Sequence, residues 1–111
     1  QRFRDTKLLV TGQPDWVGDV TYKGRRVRAV IDWKSSKKPS MKHKLQASIY
    51  ANNINPRPEI AIIVAFGGDN KQGYSASVLE WEEIRQNYIG CQYIRKAMDT
   101  IGVWIDESKF L

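Results

Sequence analysis

Asp32 and Lys34 stand two residues apart at the end of an apolar run, Ala29-Val30-Ile31, and a second acid, Asp15, lies seventeen residues earlier. Two carboxylates brought together repel, and burying them without a cation is costly. A divalent metal removes the difficulty. Magnesium takes hard oxygen ligands and commonly uses one or two carboxylates, waters and a substrate phosphate. A neighbouring lysine can position water at such a metal or stabilise charge developing on phosphate. Downstream, Gln46 and Tyr50 are spaced by four, one turn of helix. From Lys23 to Lys44 the chain carries nine basic residues and one acid, a net +8 against +6 for the whole chain. The positive charge is therefore one local patch, which suits a polyanion met at one place.

These residues need a hairpin to bring them together. Pro14–Tyr22 and Arg25–Trp33 are extended segments around Lys23-Gly24, a two-residue turn. Pairing outward from that turn sets Tyr22 opposite Arg25 and Asp15 opposite Asp32, with Cβ atoms roughly 5 Å apart. Lys34, two residues on, shares the face of Asp32. Trp16, Val20, Val27, Ala29 and Ile31 form the other face, which the pattern marks as the core. Trp33 projects from that face and is read as core, with a base-stacking platform as the alternative. Lys7–Thr11 reads as a preceding strand. Lys34–Pro39 is a polar loop, and Ser40 is an N-cap for a helix over Met41–Asn52. Met41, Leu45 and Ile49 would face the core. Glu59–Phe66 is a central strand, Gly67–Gly73 a hairpin loop and Tyr74–Leu79 the returning strand. Trp81, Ile84, Tyr88, Cys91, Met98 and Ile101 stripe a long helix. Val103–Leu111 has no assignment. The expected order is β-β-β-α-β-β-α, an α/β (α+β) domain with a mixed sheet flanked by helices. By itself a D-x-K pattern is common, and an exposed Asp–Lys pair adds only about 0–1 kcal/mol. The abrupt end of a buried strand in Asp-Trp-Lys, with a second aspartate in register, gives it weight.

Gly12-Gln13-Pro14-Asp15, then Val30-Ile31-Asp32-Trp33-Lys34-Ser35-Ser36-Lys37, then Gln46-Ala47-Ser48-Ile49-Tyr50 resemble the PD-(D/E)XK nucleases in their RecB-like branch. That branch includes Cas4-like nucleases, phage exonucleases and the mitochondrial genome maintenance exonuclease. The resemblance covers about Leu8 to Ala51 and implies a restriction-endonuclease-like core. It implies a Mg2+- or Mn2+-dependent deoxyribonuclease, an exonuclease rather than a site-specific endonuclease, that leaves 5′-phosphates. In it, Asp15 and Asp32 hold the metal, with the Trp33 main-chain carbonyl as a further ligand. Lys34 is the catalytic lysine, and Gln46 and Tyr50 orient it or contact DNA. Asp19 is the alternative to Asp15, but the turn pairs it with Arg28. Ser35, Ser36, Lys37, Lys38, Lys42, His43 and Lys44 flank the site as DNA contacts. Arg25, Arg26 and Arg28 sit towards the hairpin tip, and Tyr22 and Tyr74 near loops. Many relatives add a Glu or His from an upstream helix. The fourteen residues before Asp15 contain neither.

Length sets the outer limits. One domain fits 111 residues, whereas a TIM barrel or full Rossmann enzyme needs roughly 200 or more. The longest apolar run, Ile60–Phe66, falls well short of the ~18 residues of a membrane span. A single cysteine, Cys91, excludes an internal disulfide framework and a Cys-based zinc site, argues against an iron–sulfur cluster, and favours a reducing compartment. The expected location is intracellular: a bacterial cytoplasm, a phage-infected host, or a mitochondrion if the source is eukaryotic. The chain opens on Gln, so a larger parent chain or a protein partner is also expected. Two rivals remain from other classes. One is a catalytically silent nucleic-acid-binding or assembly module of the same fold. The other is a small basic protein-interaction domain.

Overall fold

A computed structural model describes residues 2–8, 10–68 and 72–102. The elements run β1 (Phe3–Asp5), β2 (Val10–Gly12), β3 (Trp16–Tyr22), β4 (Arg25–Lys34), α1 (Met41–Asn53), β5 (Ile60–Ala65), β6 (Ser75–Glu80) and α2 (Trp81–Ile101). The fold is α+β, with one strand more than the sequence pattern predicts. The expected strand over Lys7–Thr11 is instead a small hairpin, because Asp5 turns the chain. Its Oδ1 accepts hydrogen bonds from the amides of Lys7 and Leu8, an Asx-type turn that competes with extension.

The main sheet has the order β3-β4-β5-β6. β3 and β4 form the expected hairpin. Lys23 and Gly24 both take positive φ, 51° and 73°, the conformation of the tight turn that matches strand twist. Its register sets Trp16 opposite Ile31 and Tyr22 opposite Arg25. β4 and β5 are parallel, with Asp32 beside Ile63, so α1 is a crossover helix. β6 returns antiparallel at the far edge.

Both helices cover one face of this sheet, and it is not the face the apolar pattern marks. Val30, Ala61, Ile63 and Leu79 pack with Ile49, Tyr50, Ile84, Tyr88 and Cys91 into the main core. The Val30–Asp32 face is thus the helix-covered one. Trp16, Trp33 and Ile31 belong to the other face, where Trp33 is exposed and the packed cluster is small: Val27, Ala29 and Ile60 with Val20, Tyr22 and Ile62. The pattern misleads because the polar residues of β4 sit on its buried face. Among the stripe residues of α2, Ile84, Tyr88, Cys91 and Met98 are buried, while Ile101 is exposed. Met41, at the first turn of α1, is also exposed rather than core. Val103–Leu111 lies outside the described residues, as does part of the loop after Gly68.

Asp5 links the N-terminal hairpin to both helices. Its Oδ2 accepts from Asn53 Nδ2 of α1 at 2.8 Å and from the Tyr88 hydroxyl of α2 at 2.5 Å. Phe3 meets Tyr50 edge-on at 5.4 Å between ring centroids. Gly12 lies against the same two rings: a Cβ there would come within 2.9 Å of Tyr50 Cε1. A side chain on Gly12 would therefore displace Tyr50.

Candidate functional site

The site sits where β4 leaves the hairpin and α1 crosses over it. Asp15 precedes β3 by one residue, so the register carries it opposite Asp32. Its Oδ2 accepts a hydrogen bond from the Trp33 amide at 2.8 Å, which fixes the carboxyl against the edge of β4. The Asp15 carboxyl stands close enough to Asp32 to help raise its pKa. Asp32 is buried although ionisable.

Lys34 Nζ approaches Asp32 Oδ2 at 2.7 Å and donates to Gln46 Oε1 at 2.6 Å. The approach to Oδ2 is close but off the hydrogen-bond direction, which leaves that buried oxygen without an aligned donor. Burial pushes the Asp32 carboxyl above its ordinary range. Lys34 pulls it down, and the repulsion of Asp15 adds to the rise.

Gln46 and Tyr50 are neighbours on one face of α1, and both are buried. Burial raises the Tyr50 hydroxyl to about 12, with Asp32 and Asp15 adding to the shift and a hydrogen bond to Gln46 opposing it. At neutral pH Tyr50 is therefore a hydrogen-bond donor beside two carboxylates. The helix that carries these residues begins with a reciprocal cap. Ser40 Oγ accepts from the His43 amide at 3.3 Å, and His43 Nδ1 accepts from the Ser40 amide at 3.1 Å. Burial, then the charges of Lys34 and Lys42, lower the His43 pKa. With Nδ1 accepting from a backbone amide, this histidine serves first as a cap.

The structure thus gathers Asp15, Asp32, Lys34, Gln46 and Tyr50. It leaves Asp19 apart, opposite Arg28 and ion-paired to Arg26 at 3.2 Å. The other tip arginines are also engaged: Arg25 with Glu59 at 3.0 Å, and Arg28 with the Pro56 carbonyl at 2.8 Å. Tyr22 donates to Glu80. Lys37, Lys38 and Lys42 are exposed, and Lys44 is half-buried. The loop that carries Lys37 and Lys38 is held to the end of β5, where the Phe66 amide donates to the Lys34 carbonyl at 2.9 Å and the Gly67 amide to the Ser36 carbonyl at 2.7 Å. Gly67 is required by that approach, since a Cβ there would come within 2.7 Å of Ser36 C. Sequence reasoning passed over this role, and over Gly12 behind Tyr50. The Gly-Gly pair after an apolar strand was the available signal for the first.

A divalent cation fits the carboxylate pair. Asp32 offers a buried oxygen with no aligned donor, and the charge of Asp15 beside it is only partly answered by one lysine. Among the described residues no cluster of three or more His, Cys, Asp or Glu side chains is present. The carboxyls gathered here are Asp15 and Asp32, hard oxygen groups of the kind magnesium and manganese accept. Among the described residues no helix is long and apolar enough to cross a membrane. No protein-family model matches the chain, and a search of curated proteins finds no significant match.

Proposed function

We propose that this domain is a magnesium- or manganese-dependent nuclease that hydrolyses phosphodiester bonds in DNA, with the RecB-like PD-(D/E)XK arrangement its sequence resembles. The observation that carries the reading is the buried Asp32 beside Asp15 and Lys34, with Gln46 and Tyr50 behind the lysine. Two carboxylates, one lysine and an adjacent basic loop are the groups such a hydrolysis needs.

Asp15 and Asp32 would hold the cation, with the Trp33 carbonyl available beside them. The cation would supply Lewis-acid polarisation of the phosphate and lower the pKa of a water. Lys34 presents its ammonium at the carboxylates, where it can orient the attacking water or meet charge developing on the phosphate oxygens. Gln46 Oε1 accepts from Lys34 and holds its direction. Tyr50 keeps its proton and can donate to a phosphate oxygen. Lys37, Lys38, Lys42 and Lys44 would carry the backbone past the site without reading bases.

The two-carboxylate ligand set favours one other reading, a nucleic-acid-binding module that does not cut. Incubation of end-labelled single- and double-stranded DNA with Mg2+, Mn2+ or EDTA separates them. The nuclease reading expects degradation in either metal, none in EDTA, and products bearing 5′-phosphates. Salt-sensitive binding with no cleavage in either metal would overturn it in favour of the module.

A further inference from the structure

The sheet face turned away from the helices is closed at one end and open at the other. Near the hairpin tip, Val27, Ala29 and Ile60 are covered by Val20, Tyr22 and Ile62. At the end that carries the Asp32 site, four aromatic side chains are exposed: Trp16 at 39%, Trp33 at 47%, Phe66 at 56% and Tyr74 at 40%. The register puts them on one surface. Trp16 faces Ile31, Trp33 follows two residues along β4 opposite Val64, and Val64 faces Ala76. Phe66 lies two residues beyond Val64, and Tyr74 two before Ala76. Side chains two apart on a strand share a face. The row therefore crosses all four strands on a diagonal, in steps of roughly 7–8 Å where neighbours are diagonal.

Two details describe the ends of this surface. A Cβ at Gly18 would come within 2.5 Å of Trp16 Cζ2 and Cη2, so the indole lies flat over Gly18, on the hairpin-tip side of Trp16. The Phe66 amide bonds to the Lys34 carbonyl, which extends the pairing past β5 and holds Phe66 beside β4.

The chemistry around the row selects an occupant. Lys37 lies against Gly68, two residues past Phe66, with its Cγ 3.1 Å from where a Cβ would stand. Lys38 is exposed next to it. Among the described residues, the acids near this face, Glu80 and Glu59, sit at the closed end and are paired with Lys23 at 2.9 Å and Arg25 at 3.0 Å. Exposed aromatic rings beside cations match a polyanion that carries flat rings of its own. Unpaired bases stack on aromatic side chains regardless of sequence, whereas the bases of a duplex offer no free face. A second copy of this chain would bring the same positive charge.

We propose that the Trp16–Trp33–Phe66–Tyr74 row is a stacking platform for single-stranded DNA, the strand rounding the end of β4 between this face and the Asp32 site. The choice of DNA rests on the nuclease reading. Trp33 and Phe66 are its centre, and Lys37 meets a backbone phosphate.

The test is binding of labelled oligothymidylate and of a duplex of equal length to the full chain, in EDTA so that nothing is cut. Trp33→Ala, Phe66→Ala and Trp33→Phe are compared with the parent, and circular dichroism checks their fold. Each alanine variant is expected to lose roughly ten-fold in affinity for the single strand. Duplex binding should change less than two-fold. Trp33→Phe should retain most of the affinity, and parent tryptophan fluorescence should be quenched by the oligonucleotide. Unchanged single-strand affinity in both alanine variants overturns the platform, as does an equal loss for single strand and duplex. Sedimentation showing a dimer that Trp33→Ala dissolves also overturns it and makes the face a self-association surface. The nuclease reading is scored separately, by metal-dependent cleavage by the parent. A parent that cuts while its alanine variants bind oligothymidylate normally leaves that reading standing and removes only the platform.

Discussion

At the scale of single residues, the fold treats its two buried aspartates in opposite ways. Asp32 is held above its ordinary range by burial, with Lys34 opposing and Asp15 adding to the shift. Its folded form therefore favours the neutral carboxyl, and the ionised group at neutral pH costs stability that is regained as pH falls through the folded value. Asp32→Asn should accordingly raise the Tm measured in EDTA. Mg2+ should raise the Tm of the parent, through binding to the folded state alone, but not that of the variant. A variant several degrees less stable than the parent would contradict this. Asp5 is the reverse case. Burial pushes its carboxyl up, but donors from Tyr88, Asn53, Leu8 and Lys7 outweigh burial and leave it below its ordinary 3.8. Its contribution is present above that value and is lost as pH falls through the lower folded one. Asp5→Ala strands those donors and should cost roughly 2–4 kcal/mol, read by urea unfolding at neutral pH. The difference from the parent should shrink as acid protonates Asp5.

At the scale of elements, the basic loop is a built feature. It runs from the end of β4 to the cap of α1, and the Gly67 amide holds it at Ser36. Gly67→Ala should push that loop off, since its Cβ would meet Ser36 backbone atoms within 2.8 Å. The expected result is a several-fold rise in KM for DNA with a smaller change in kcat, because Asp32 and Lys34 precede the displaced segment. An unchanged KM would mean the loop does not carry the substrate. The elements also show what the sequence made readable. The Lys23-Gly24 turn fixed the register of β3 on β4, and with it the meeting of Asp15 and Asp32. The four-residue spacing put Gln46 beside Tyr50. The choice of covered face was not readable, because site residues place their polar atoms on a buried surface, where pattern alone assigns solvent. Nor was the Asp5–Tyr88 contact, which joins positions 83 residues apart and leaves no local trace at either.

At the scale of the whole molecule, charge is divided between used and spare. The arginines at the hairpin tip are paired with Glu59, Asp19 and the Pro56 carbonyl, while Lys37, Lys38 and Lys42 stand exposed in the segment that follows β4. Binding should therefore weaken with salt along a log–log slope of about −3 on duplex DNA, one phosphate for each exposed lysine. Lys37→Gln with Lys38→Gln should make that slope shallower by about 2. The most direct test of the account is a single-turnover cleavage assay of parent and Lys34→Ala in Mg2+, with DNA binding measured on the same samples. The account predicts a loss of cleavage on the order of 10²–10³-fold with binding preserved within a few-fold. A Lys34→Ala protein that cuts at the parent rate would contradict the assignment of the site.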